Sequence, residues 1–247
     1  MAGEFTKFLT AGQTLTQAMG ELGLTIPSTF VGNTDAIVIQ LVKFLTASGQ
    51  DLCLMTDWQF LHKEWTQVLS IGASDYALPT DWNGFVSGTM WDNTSRWPVI
   101  GPLTPQIWRM LKARLLGGNT ISLQYRITGN MLHFYYPSAA VDTVVSDYYS
   151  RGWVIDGVQT PLGTIFRDNI ANDSDQVLFD GRITVPLLKY KWRDAKGFDT
   201  TAASDEFEDA WDLVVGRDTP APTLSIGPST AYPYLGYSNM PDTNYGV

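Results

Sequence analysis

The chain has little of what most site chemistry needs. Its 247 residues include one cysteine, Cys53, and two histidines, His62 and His133. A single cysteine excludes an intramolecular disulfide and fits a reducing cytosol. Cys53 falls in an expected helix, as a small buried apolar residue. The histidines lie in different segments, and neither has a Cys or a second His at ligand spacing, so no metal site is expected. His62 reads as a helix-surface residue. No P-loop, H-E-x-x-H, G-x-S-x-G or dinucleotide fingerprint occurs. A Ser-His-Asp arrangement assembles from distant positions and leaves no local trace, and nothing here favours one. Paired carboxylates are too common in an acidic chain to be diagnostic. The expectation is a protein that is not an enzyme and takes no cofactor.

Positive charge is also scarce. Lys and Arg number 16 against 25 Asp and Glu, which leaves a net charge of -9. No basic stripe of the kind that grips phosphates stands out. An acidic protein beside DNA repels the backbone and does not hold it. No unbroken apolar run approaches the ~18 to 20 residues of a membrane helix. The first fifteen residues lack a basic region followed by an apolar core. Neither a membrane span nor a signal peptide is expected.

What is present is enough for a sizeable core: 44% of residues are apolar and 17% charged. "DAIVIQLVKFLTASGQDL" has Ile37, Leu41, Phe44 and Leu45 on one helical face, with Asn33, Thr34 or Asp35 as its cap. In "DLCLMTDWQFLHKEWTQVLSIG", Leu54, Trp58, Leu61, Trp65 and Leu69 recur at three- and four-residue steps, which predicts a second helix ended by Gly72. The period then changes. "DYALP" and "GFVSGTMWD" read as extended, and Thr104 and Pro105 open a helix that Gly117-Gly118 ends. Two alternating runs flank Gly129-Asn130 as a hairpin, and "VDTVVSDYYSRGWV" is a further strand. Helix returns from about Asp173 to Gly216, broken at Lys196-Gly197, with Pro186 kinking or starting its first half. Its last part places Phe207, Ala210, Trp211 and Val214 on one face behind an acidic first turn. From Thr219 the composition turns to Pro, Gly, Ser, Thr and Tyr, with no Lys or Arg.

The expected fold class is therefore α+β. N- and C-terminal helices form a bundle, with a small antiparallel β module inserted and an extended C-terminal arm. The expected parts are 1–72, an N-terminal helical part; 73–157, the β module; 158–216, C-terminal helices packing on the first; and 217–247, the arm. "RDNIANDSDQ" invites a calcium reading, but it lacks the glycine and glutamate of an EF-hand loop. A solvated loop with Asp173 or Ser174 capping the next helix is the simpler reading.

The aromatics carry more. There are 9 Trp and 11 Tyr. Trp58, Trp65 and Trp211 read as helix packing. Trp82, Trp91, Trp97 and Trp108 are hard to bury together in one small module. Aromatics concentrate where proteins meet proteins, so Trp82, Trp91 and Trp97 are candidate interaction residues. In the arm, Tyr232, Tyr234, Leu235, Tyr237 and Tyr245 are candidate anchors on a partner, because a purely flexible tail carries fewer apolar groups.

Several segments together resemble a known family. Asp57-Trp58-Gln59-Phe60-Leu61 leads to the corner Tyr76-Ala77-Leu78-Pro79-Thr80-Asp81. Trp91-Asp92, Pro102-Leu103 and Tyr125-Arg126-Ile127 follow in order, then "LLKYKWRDAKGFD", an acidic amphipathic helix and "PTLSIG". From about Leu52 to Gly227 this order resembles the head-to-tail adaptor, or connector, proteins of short-tailed and related bacteriophages. The resemblance implies a structural virion protein at the head-tail junction, assembled in the bacterial cytoplasm. It implies as partners the portal protein, a tail or nozzle protein, and other copies of itself in a ring of about twelve. Viral DNA would pass through the lumen without sequence-specific binding, and an acidic lumen suits sliding DNA. The alternatives are another tail or baseplate protein and, further off, a virion-associated hydrolase.

Overall fold

The computed structural model describes residues 8–114, 122–135, 141–158 and 165–218. Helix α1 (Ala11–Glu21) starts at a capping box: Gln13 N–H donates to Thr10 Oγ1 at 3.2 Å, and Thr10 N–H donates to Gln13 Oε1 at 3.0 Å. Helix α2 (Ala36–Met55) is capped by Asp35, whose carboxylate accepts from Ile37 N–H at 2.8 Å. Its buried side is Val38, Leu41, Leu45 and Leu52, so the face is rotated from the expected one and Ile37 is exposed. Cys53 is buried on this side, and burial pushes its thiol up to about 12. By length and composition α2 could cross a membrane. Lys43 and Asp51 interrupt its apolar run, which is why counting unbroken residues misses it.

The second helix expected before Gly72 is not formed. The α2 helix runs through Gly49 to Met55, and a single turn at Gln59–Leu61 leads into strand β1 (His62–Leu69). The Trp58 indole N–H donates to Leu52 O at 2.7 Å and so occupies a carbonyl that the end of α2 leaves free. The misreading has a clear cause. Leu61, Trp65 and Leu69 are four apart, and a step of four keeps residues on one side of a strand as well as of a helix. His62 is thus a strand residue, and the sheet begins ten residues before the expected boundary at 72.

Strands β2 (Asp75–Ala77), β3 (Trp82–Phe85), β4 (Trp91–Asp92) and β5 (Trp97–Pro98) precede helix α3 (Pro105–Arg114). Thr104 caps α3 as expected, accepting from Ile107 N–H at 3.3 Å. Strands β6 (Tyr125–Thr128) and β7 (Met131–Phe134) form the hairpin expected around Gly129-Asn130. Strand β8 (Asp142–Ser150) is the centre of the main sheet. It pairs antiparallel with β1 along its whole length, from Leu69 opposite Asp142 to His62 opposite Tyr149, and with β3 and β4 on its other edge. Strand β2 joins β6 and β7 in a second sheet.

Short strands β9 (Val154–Ile155), β10 (Phe166–Arg167) and β11 (Gln176–Val177) make a third sheet. The helix expected from Asp173 starts instead at α4 (Gly181–Lys196), capped by Asp180. Asp173 and Asp175 give their carboxylates to loop N–H groups, which favours turns over helix. Pro186 lies inside α4 without ending it. Gly197 closes α4 in the left-handed conformation at φ 70°, and Phe198 N–H donates back to Arg193 O at 3.0 Å. Helix α5 (Thr201–Asp218) begins before the acidic segment and packs Phe207, Trp211 and Val214 on the bundle as expected.

The result is an α+β fold with two cores. One gathers α1, α2, α4 and α5 around Trp58, Trp153 and Phe179, with Phe179 and Trp211 rings at 5.4 and 5.8 Å from Trp58. The other fills the module around Leu69, Tyr76, Leu132 and Val144.

Candidate functional site

The Tyr76–Asp81 corner is where the module is tied together. The Tyr76 hydroxyl accepts from Ser70 N–H at 2.8 Å and so closes the turn after β1. Its ring and Leu78 are buried in the module core. Pro79 holds Leu78 extended. Asp81 then accepts from Lys63 Nζ at 2.6 Å, Ser150 Oγ at 2.6 Å and Tyr148 OH at 2.9 Å, linking β1, β3 and β8. Burial alone would raise the Asp81 carboxyl, but these three donors outweigh it and hold it below the usual carboxylate range.

A second carboxylate organises the loop between the sheets and α4. Asp175 is fully buried and accepts from Ala171 N–H at 2.8 Å, Asn172 N–H at 2.9 Å and Gly157 N–H at 3.2 Å. Arg167 reaches it at 3.2 Å and Asp156 at 2.7 Å. Burial works against this charge too, but the backbone donors and the Arg167 charge keep the carboxyl low. The segment expected as a solvated loop is therefore an internal tie. A cleft lined by Asp81, Arg151, Phe166, Arg167 and Asp168 lies between these two hubs. In it Asp81 is paired with Lys63 and Arg167 with Asp156 and Asp175, and among the described residues no group of three or more His, Cys, Asp or Glu is placed to hold a metal.

The three candidate tryptophans do not form one patch. Trp82 pairs with Ser150, on the core side of the sheet, and packs 5.5 Å from Phe85. It is half-buried in the module core rather than presented outward. Trp91 is also half-buried and stands opposite Val145 and Pro98, on the other side of the sheet. Trp97 stands opposite Asp92 and is 47% exposed. Trp97 is thus the candidate best placed to meet a partner. Trp108, which also looked hard to bury, is enclosed beneath α3. Tyr232, Tyr234, Leu235, Tyr237 and Tyr245 lie outside the described residues.

No family model and no curated protein matches the chain.

Proposed function

We propose that this chain is a ring-forming head-to-tail adaptor, a structural virion protein that joins a phage portal to the tail and lines part of the DNA ejection channel without catalysis. The observation that carries the reading is the position of the resembling segments. Asp57–Leu61 makes the joint from α2 to β1, and Tyr76–Asp81 ties β1, β3 and β8. Trp91-Asp92 forms β4, Leu103 N–H donates to Tyr125 O at 2.9 Å, and Tyr125–Ile127 forms most of β6. These segments maintain a β module on a helical bundle, and the signature is one of architecture rather than of a reaction. The net charge of -9 per copy makes free copies repel, so rings form on a portal template and not in isolation.

The test is to add purified chain to portal rings or DNA-filled heads and to image the particles. A ring of density at the portal vertex is expected. Failure to bind any portal vertex, or lytic activity against cell walls in a turbidity assay, would sink the reading. A second expected outcome concerns residues 219–247. A chain ending at Asp218 folds with an unchanged melting midpoint but binds the portal at least tenfold more weakly. Unchanged portal affinity would remove the arm from the contact.

A further inference from the structure

Charge is sorted along this chain far more sharply than its total suggests. Between Asp92 and Asp142 there is no acidic residue, but there are Arg96, Arg109, Lys112, Arg114 and Arg126. The reverse holds in α5, where Asp205, Glu206, Glu208, Asp209, Asp212 and Asp218 face a single cation, Arg217. The basic region is short and disappears when charge is summed over the whole molecule.

Both regions have open helical faces. Helix α3 is fixed from below by Trp108, whose ring meets the Tyr135 ring at 5.6 Å. The Arg126 guanidinium and Lys112 Nζ lie 5.3 and 5.4 Å from the Trp108 ring. On the outward side, Ile107 is 40% and Met110 41% exposed. They stand three residues apart, so they form one apolar ridge. Arg109 is exposed on the flank next to Met110, while Lys112 lies on the far side of the helix, toward Trp108. In α5, Glu206 turns inward to Lys189 at 2.6 Å. Asp205, Glu208, Asp209 and Asp212 are exposed, and no ion pair involves them among the described residues. Their three- and four-residue spacing sets like charges side by side, which works against the helix unless a cation comes from elsewhere. Leu213, 45% exposed, gives this acidic face its own apolar point.

We propose that the α3 face of one copy docks on the α5 face of the next copy, with Ile107 and Met110 against Leu213 and with Arg109 reaching from the flank among the Asp205–Asp212 carboxylates. The two faces are complementary in charge and each carries an apolar centre. Because they are different surfaces of one chain, the contact is head-to-tail and repeats, closing into a ring where the rotation allows. The inference rests on the adaptor reading for closure on a portal. The contact itself is weak between free copies and is trapped at high concentration. A nucleic acid is the less fitting occupant of α3, since its one aromatic residue is buried and its exposed centre is aliphatic.

Disulfide trapping tests this on the full chain. A Met110→Cys chain is mixed with a Leu213→Cys chain at high concentration under mild oxidation. Buried Cys53 remains as an internal control. The mixture should give at least tenfold more covalent dimer than either chain alone, and a chain carrying both cysteines should give a ladder beyond dimer. Adding Arg109→Glu to the first chain should cut the product at least tenfold. Adding Asp209→Lys and Asp212→Lys to its partner should restore most of it. A mixture no better than its components, or a yield indifferent to both charge reversals, would overturn the contact. So would loss of duplex-DNA retention in R109E without any cross-link, which would assign α3 to nucleic acid. Rings on portal particles without this disulfide would defeat the contact and leave the adaptor reading standing. A ladder from a chain that binds no portal would do the opposite.

Discussion

Replacing Asp175 with alanine should lower stability by about 3–5 kcal/mol, the usual cost of removing one partner from a buried charged pair. The side chain is fully buried and accepts from three backbone N–H groups and from Arg167. Its removal leaves those donors inside the protein with nothing to accept them, and Arg167 keeps only Asp156. Asp175→Asn is the informative control. It preserves the shape and one acceptor oxygen but loses the charge, so it should cost roughly half as much. The sign of the pH effect follows from the lowered carboxyl. Its contribution is present above its unfolded pKa of about 4 and is lost as pH falls through the lower folded value. The gap between wild type and D175N should therefore be largest near neutrality and shrink below about pH 4. Urea midpoints at several pH values measure this. A D175A loss under about 1 kcal/mol would mean that the loop does not depend on its carboxylate.

Gly49→Ala should destabilise the protein by about 2 kcal/mol, although the same change at an exposed site within a helix stabilises by up to about 1 kcal/mol. A Cβ at Gly49 would stand 2.3 Å from the Trp153 ring. Trp153 is fully buried, and its indole N–H donates to Asp168 O at 3.1 Å, so the ring cannot turn aside without losing that bond. Trp153→Ala alone should cost about 3–5 kcal/mol through the cavity it leaves. In the double variant the clash is gone and alanine recovers its helix preference. The two effects should then fall well short of adding. Thermal or urea melts of the four proteins measure the cycle. A neutral or stabilising G49A would show that the Trp153 ring shifts freely and that the close approach is not a constraint.

Gly49 also shows how far the sequence could be read. Within a helical pattern a lone glycine carries no local explanation, and its reason lies about a hundred residues away in Trp153. Local signals were legible where they were strong: Thr104-Pro105 opening α3, Gly129-Asn130 turning the hairpin, and Phe207, Trp211 and Val214 facing the bundle. The stretch from Leu61 to Leu69 failed because its step of four suits both helix and strand. The stretch from Asp173 failed because its carboxylates serve loop amides, some of them as distant as Phe30 and Val31. Asp81 stood inside a segment singled out early, but its partners Lys63, Tyr148 and Ser150 come from two other strands and are invisible until those pair. The opposed faces of α3 and α5 were hidden by the net charge, which averages them away.

The full-length pairing of β1 with β8 has a mechanical side. The chain leaves the bundle through Leu61 at one end of β1 and returns to it through Trp153 just past β8, and both crossings are at the same end of the pair. The module is thus joined through a two-strand ribbon, paired along its length from His62 to Leu69 and with Lys63 pinned to Asp81 at its root. A pull on the module loads both backbones in parallel and leaves the hydrogen bonds between them unstrained. Sideways shear meets the whole ladder at once. β8 is also the centre of the main sheet, and Leu69 and Val144 lie in the module core, so this ribbon is part of the module and the connection from the bundle ends inside the module's own packing.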